Sequence, residues 1–220
     1  MNENYQRQLD ALIEKQQKAG VRPRLLLQVC CAPCSSYCLA YLTAYFDITV
    51  YFYNPKIFPR EEYDFRLAEL RRLLGQMPLS SPVTLQEGPY DPQRFFDAAR
   101  GHEQDPEPGE RCRACYRLRL RQTAEAAKTG RYDFFCTTLS ISPHKRADWL
   151  NEIGQEIAAE TGIAFLPSDF KKKGGYAASI RYSREYDLYR QNYCGCVYSK
   201  ALADLKTAPA DADGTSRPAR

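Results

Sequence analysis

The strongest constraint on this chain is a rhythm. Short apolar runs of strand length are each followed by a longer helical stretch. Residues 24–30, RLLLQVC, suit a buried strand. Pro33 and the serines after Cys34 mark a helix start, which SSYCLAYLTAYF continues. Residues 48–53, ITVYFY, read as a second strand, and Asn54-Pro55 turns the chain. Residues 60–74 form an amphipathic helix of mixed charge, and 92–100 a short one. GHEQDPEPGE (101–110) is a polar loop, and helix returns over 113–128. YDFFCTTL (132–139) is a strand, 141–162 a loop feeding a long helix, and IAFLP (163–167) a further strand element. A surface helix over 4–19 precedes all of this, and a Tyr-rich helix follows KKKGG (171–175) and reaches Tyr189. The pattern predicts an α/β fold, a mostly parallel sheet flanked by helices. Such sheets carry functional loops at the carboxyl ends of their strands, where Cys30–Cys34 fall.

The chain has 220 residues and a formal charge of +4, with 44% hydrophobic and 26% charged residues, which excludes a mostly disordered protein. This length suits one α/β catalytic domain over 1–207, and the small, polar, Pro-containing segment 208–220 reads as a disordered tail. No apolar run approaches the roughly 18–20 residues of a membrane span. The polar, helix-like start MNENYQRQLD has no apolar signal region, so a reducing cytoplasm is the expected compartment.

Nine cysteines are unusual for that compartment. Clustered cysteines there are more often metal ligands or redox groups than structural disulfides. Most fall in three groups: Cys30-Cys31-x-x-Cys34, Cys112-x-x-Cys115 and Cys194-Gly195-Cys196. With only two histidines, His102 and His144, any large metal site must lean on thiolates, which favour zinc or iron–sulfur chemistry. Cys30 and Cys31 can face one site only if the strand ends there, and the helix start after them offers free N–H groups to thiolates. Cys112 and Cys115, at i and i+3 of a helix start, turn two sulfurs to one side. The two pairs together suit either tetrahedral zinc or a [4Fe–4S] cube.

Cys194 and Cys196 are spaced to close a small, strained and easily reduced disulfide ring, or to give two ligands to a second metal. Cys38 and Cys136 lie among apolar residues and read as small buried hydrophobes. Cys34 stays open between a spare thiol and a ligand to another ion. Arg111, Arg113, Arg117, Arg119 and Arg121 crowd the second cysteine pair. Their default reading is a solvated face, against which stands phosphate binding. Tyrosines near the C-terminus read mainly as packing, with base stacking as the other option.

The segments VCCAPCS (29–35), VYFYNP (50–55), ERCRACYRLRL (110–120), TTLSISPHK (137–145), SDFKKKGGY (168–176) and YRQNYCGCVYS (189–199) together resemble the QueH family of epoxyqueuosine reductases, in order across roughly residues 24–200. The resemblance implies a Rossmann-like fold of the adenine-nucleotide-α-hydrolase type. It implies reduction of the epoxide of epoxyqueuosine, at the wobble position of tRNA, to the cyclopentene of queuosine. It also implies a [4Fe–4S] cluster on Cys30, Cys31, Cys112 and Cys115, a redox-active pair in Cys194 and Cys196, and a place for Cys34 in the family pattern. CCAPCSS stands where ATP-using relatives of that fold carry a Gly/Ser-rich phosphate loop, which argues against ATP use.

Removing an epoxide oxygen takes two electrons and two protons. The expected scheme draws electrons from an external donor through the cluster. A cluster iron, or a second metal (an additional mononuclear iron) near Cys34, holds the departing oxygen. His144, Asp169 and Tyr193 are the candidate proton donors, and His144 is the one whose ordinary pKa lies near neutrality. The competing readings are an iron–sulfur-dependent tRNA-thiolating enzyme and a non-enzymatic, zinc-stabilised RNA-binding module.

Overall fold

The computed structural model describes residues 4–207. The segment 208–220, read above as a tail, lies outside them. A five-stranded sheet, parallel throughout, organises the chain: β1 Arg24–Gln28, β2 Asp47–Phe52, β3 Thr84–Glu87, β4 Phe134–Thr137 and β5 Ala164–Phe165, in the order β3-β2-β1-β4-β5. That is the Rossmann-like order. The helices are α1 Tyr5–Lys18, α2 Ala32–Leu42, α3 Arg60–Gln76, α4 Pro92–Ala99, α5 Glu110–Thr129, α6 Ala147–Thr161, α7 Gly175–Glu185 and α8 Val197–Thr207. A 3-10 turn, Thr138–Ile141, follows β4.

β1 is the central strand, so both of its faces are buried and its middle, Leu25–Leu27, is an unbroken apolar run. Leu25, Leu27 and Val29 pack with α1, α2 and α3 through Leu9, Leu39, Leu42 and Leu70. Leu26 and Cys30 pack on the other face with Leu120, Ala124, Leu150 and Ile153 of α5 and α6. Each fully buried leucine contributes about 1.5–3 kcal/mol of hydrophobic stabilisation. The period-two alternation of a strand thus turns Cys30 toward α5, the helix that carries Cys112 and Cys115.

The sequence reading differs from the structure at several elements. α2 ends at Leu42, short of Phe46, and α7 ends at Glu185, short of Tyr189. β3 was not anticipated. It is an edge strand of four residues, only lightly buried, and TLQE lacks the apolar run that marked the others. α8 after Cys196 was also unforeseen. α5 begins at Glu110, so Cys112 lies inside the first helical turn and not before it.

The strand order reverses at β1 and β4. The chain leaves β1 for α2 on one face and leaves β4 for α6 on the other, which opens a crevice at the carboxyl edge of the sheet. Buried polar side chains brace this edge. Thr137 donates to Gln28 Oε1 at 2.8 Å, Gln28 donates to the Tyr53 carbonyl at 3.0 Å, and Asn54 donates to the Val29 carbonyl at 2.9 Å.

Candidate functional site: a thiol-lined cleft with buried cations

A cleft of about 740 Å³ opens at that edge. Cys30, Cys31 and Cys34 line its floor, the segment Ser142–Arg146 one wall, and Tyr176, Ser179 and Arg190–Cys194 another. A smaller pocket behind it is lined by Cys112, Cys115, Cys194 and Cys196. Cys194, Glu107 and Lys145 border both spaces.

Local chain geometry places each thiol. β1 ends at Gln28, and Cys31, with extended backbone, is the N-cap of α2, with Pro33 in its first turn. Cys30 and Cys31 are therefore free to share a site although adjacent in sequence. Gly109 caps α5, which sets Cys112 and Cys115 in its first turns. Both cysteine groups thus lie at helix N-termini, where free N–H groups and the dipole favour negative charge. Cys194 and Cys196 arrive from the far end of the chain. Gly195 between them has φ +103°, and a Cβ there would meet the Arg66 guanidinium at 2.9 Å. Glycine is required on both counts.

Five cations are buried around these sulfurs: Lys56, Arg66, Arg111, Arg119 and Lys145. Lys56 donates to the Cys194 carbonyl, and Arg66 reaches the same oxygen at 3.4 Å. Arg119 donates to Asn54 Oδ1 at 2.9 Å, and its Nε has no hydrogen-bond partner among the described residues. Lys145 donates to Cys194 Sγ at 3.3 Å and to Glu107. Among the described residues only Glu62, for Arg66, and Glu107, for Lys145, supply carboxylates to this group. Lys56, Arg111 and Arg119 have no carboxylate partner there. Buried charge needs a counter-charge, and among the thiols here Cys194 is the one drawn toward its charged form.

All nine cysteines are free. A hydrogen bond with Cys31 and burial push the Cys30 thiol up to about 11. Cys31 also lies at about 11, because the bond with Cys30 that lowers it is outweighed by the bond with Cys34 and by burial. Burial lifts Cys115 to about 12 and raises Cys112. Cys194 behaves differently. Burial opposes its ionisation, yet the ammonium groups of Lys56 and Lys145 prevail and hold it below the ordinary thiol range. Burial and the charge on Cys194 push Cys196 upward. The pair is electrostatically unequal.

Of the other sequence candidates, Cys34 is half-buried and lines the cleft. His144 is exposed on its wall, and Tyr193 lines it with its ring 5.3 Å from the Arg66 guanidinium carbon. Asp169 is seated apart: it pairs with Lys171 at 2.9 Å and is not among the residues lining the cleft. Cys38 and Cys136 are fully buried in the apolar core, as packing residues should be. The α5 arginines divide by face. Arg111 and Arg119 turn inward, whereas Arg113, Arg117 and Arg121 pair in register with Glu152, Glu156 and Glu160 of α6. That ladder makes the outer row a solvated face and not a phosphate clamp.

Lys56, Arg66, Glu107 and Gln191 escaped the sequence reading. Nothing in their spacing marks them, because each acquires its role from a contact with the distant Cys194 segment or with Cys31. Among the described residues no group of three His, Cys, Asp or Glu side chains is disposed to hold a single metal ion. No helix among them is long and apolar enough to cross a membrane.

The comparisons with known proteins agree with one another. The family model described as "Epoxyqueuosine reductase QueH" matches residues 25–202. The epoxyqueuosine reductase QueH of Streptococcus pyogenes serotype M1 is 41% identical over 204 residues, covering 92% of this chain and 80% of its own. That of Staphylococcus epidermidis is 39% identical over 215 residues, covering 95% and 90%. That of Thermotoga maritima is 33% identical over 181 residues, covering 80% and 89%. On the family match and these identities, the chain belongs to the QueH family of epoxyqueuosine reductases, oxidoreductases of queuosine biosynthesis.

Proposed function

We propose that Cys30, Cys31, Cys112 and Cys115 hold a [4Fe–4S] cluster, that Cys194 and Cys196 form a redox-active pair beside it, and that the cleft admits the epoxyqueuosine nucleotide at the wobble position of tRNA. The observation that carries this reading is the charge balance. Cys30 and Cys31 line the cleft, Cys112, Cys115 and Cys196 line the pocket behind it, and Cys194 borders both; the five buried cations beside them have, among the described residues, only two carboxylate partners. An all-sulfur donor set in a positive, partly enclosed pocket suits an anionic iron–sulfur group. The fit rests on donor chemistry and charge. Loading must release protons from the raised thiols, so it is favoured by higher pH. Cys34, hydrogen-bonded to Cys31 and lining the cleft, is the donor that remains for an additional mononuclear iron.

When bound, the cluster would carry electrons singly between the cysteine pair and the substrate. The residues of the chain supply the rest. Converting the epoxide to an alkene and water consumes two electrons and two protons. Oxidation of Cys194 and Cys196 from dithiol to disulfide releases two of each. An external electron donor then returns the pair to the dithiol. Lys145 Nζ holds a proton between Glu107 and Cys194 at the edge of the cleft, and His144 and Tyr193 stand on its walls within reach of a bound nucleotide. The cytoplasm, where tRNA and low-potential reductants meet, is the compartment this chemistry requires.

The test is mass analysis of digested tRNA. Epoxyqueuosine-containing tRNA is incubated with the protein and a reductant without oxygen. Loss of one oxygen, giving queuosine, is expected. A gain of sulfur would reassign the protein as a thiolating enzyme, and unchanged tRNA with bound zinc would reassign it as a binding module.

A further inference from the structure

Gln191 stands at the point where the redox-pair segment crosses the first cysteine group. Its side-chain nitrogen donates to Cys31 Sγ at 3.2 Å. As a cluster ligand, Cys31 has no S–H left to donate, so its sulfur can only accept, and the amide nitrogen is the end that must face it. The other end, Oε1, is then buried and has no hydrogen-bond partner among the described residues. Gln191 also lines the cleft, together with Cys30, Cys31, Cys34 and Tyr193. The backbone on either side is anchored. Leu188 is buried against Ala32, the residue after Cys31, and the Cys194 amide donates to Ser199 Oγ at 2.9 Å. Arg190 is held by Ser183 at 3.0 Å. The amide is therefore presented by a braced segment and not by a loose loop.

A buried acceptor without a partner is costly and calls for an explanation. Here a donor from the cleft's occupant supplies one. The sugar-like cyclopentane of epoxyqueuosine carries hydroxyl groups and an amine, and both are donors.

We propose that Gln191 is a bridging residue: its Nε2 bonds the cysteine sulfur of Cys31 while its Oε1 accepts a hydrogen bond from a hydroxyl or amine of the substrate. This inference rests on the reading that Cys31 is a cluster ligand. An N–H bond to a ligand sulfur spreads its charge and favours the reduced state, which raises the reduction potential. A substrate donor on Oε1 polarises the amide and strengthens the N–H···S bond on its far side. Substrate binding should then raise the potential further. By reciprocity, the reduced protein should bind substrate tighter than the oxidised one.

The experiment is a potentiometric titration of the anaerobically reconstituted full-length protein, followed by electron paramagnetic resonance, with and without epoxyqueuosine-containing tRNA. Wild type is compared with Gln191→Leu, which loses both functions, and Gln191→Glu, which keeps the acceptor and loses the donor. Both variants should have a more negative midpoint potential than wild type, and neither should show the substrate-dependent rise. Only Gln191→Leu should raise the dissociation constant for substrate tRNA, by roughly tenfold, the cost of one lost hydrogen bond. Unchanged potentials in folded, cluster-loaded variants would overturn the bridge. So would a fall in potential without any change in substrate binding by Gln191→Leu. A wild-type protein that takes up no cluster would instead overturn the parent reading, and this inference with it.

Discussion

Lys145 Nζ lies 3.3 Å from Cys194 Sγ and is held on its other side by the Glu107 carboxylate. This contact, with Lys56 above the Cys194 carbonyl, makes Cys194 the acidic member of its pair. The pair therefore has a direction. In the proposed redox pair, Cys194 is the more easily ionised thiol and Cys196 the less.

Replacing Lys145 with Met should raise the Cys194 thiol toward the ordinary range and slow its alkylation near neutral pH by about tenfold per unit of rise. In the folded protein Cys194 lies below its unfolded value, so its thiolate adds stability that is full above the ordinary thiol pKa and fades as pH falls through the depressed value. Peptide mapping of iodoacetamide kinetics against pH reads both effects. A rate profile for Lys145→Met that overlays wild type would assign the whole effect to Lys56.

Gly195→Ala should destabilise the protein by about 1–3 kcal/mol, because alanine strains the positive φ and its methyl meets the Arg66 guanidinium. Thermal unfolding measures this directly. The same variant should lose turnover while retaining Cys112 and Cys115 chemistry, since the displaced segment is the one that bears Cys194 and Cys196.

Two arginines on one helix should behave oppositely. Arg117→Gln breaks an exposed pair with Glu156 and should cost less than about 1 kcal/mol, with activity intact. Arg119→Gln removes a buried charge beside Cys30 and Cys115 and should weaken metal loading, because their thiolates lose a counter-ion. Iron content per chain after identical reconstitution separates the two. Equal loading would show that the Arg119 charge does not serve the thiols.

Cys136→Ala and Cys38→Ala should keep both metal content and activity. Each cysteine is fully buried in the apolar core and away from the cleft, and burial pushes both thiols upward, Cys136 up to about 12. The expected cost is about 1 kcal/mol for a buried group of that size. Loss of iron in either variant would place it among the ligands.

Much of this was legible in the residues. The strands β1, β2 and β4 announce themselves because buried parallel strands must be apolar on both faces. The cysteine groups announce themselves because thiolate chemistry needs sulfur at short spacing. Lys56 and Arg66 were not legible. A lysine after a turn and an arginine in a charged helix look like surface residues until the Cys194 carbonyl, more than a hundred residues away, is laid over them. The α5 arginines show the same limit. Their spacing gave two faces, and only the packing of α6 decided which face was paired and which was buried. β3 was missed because an edge strand can be polar and need not bury both sides.

The measurement that bears most directly on this account is iron and acid-labile sulfide per chain in protein purified or reconstituted without oxygen, beside the Cys112→Ala and Cys194→Ala variants. The account predicts about four of each in wild type, as a [4Fe–4S] cluster requires, with loss of both in Cys112→Ala and retention in Cys194→Ala. A colourless wild-type protein holding one zinc and no sulfide would contradict it.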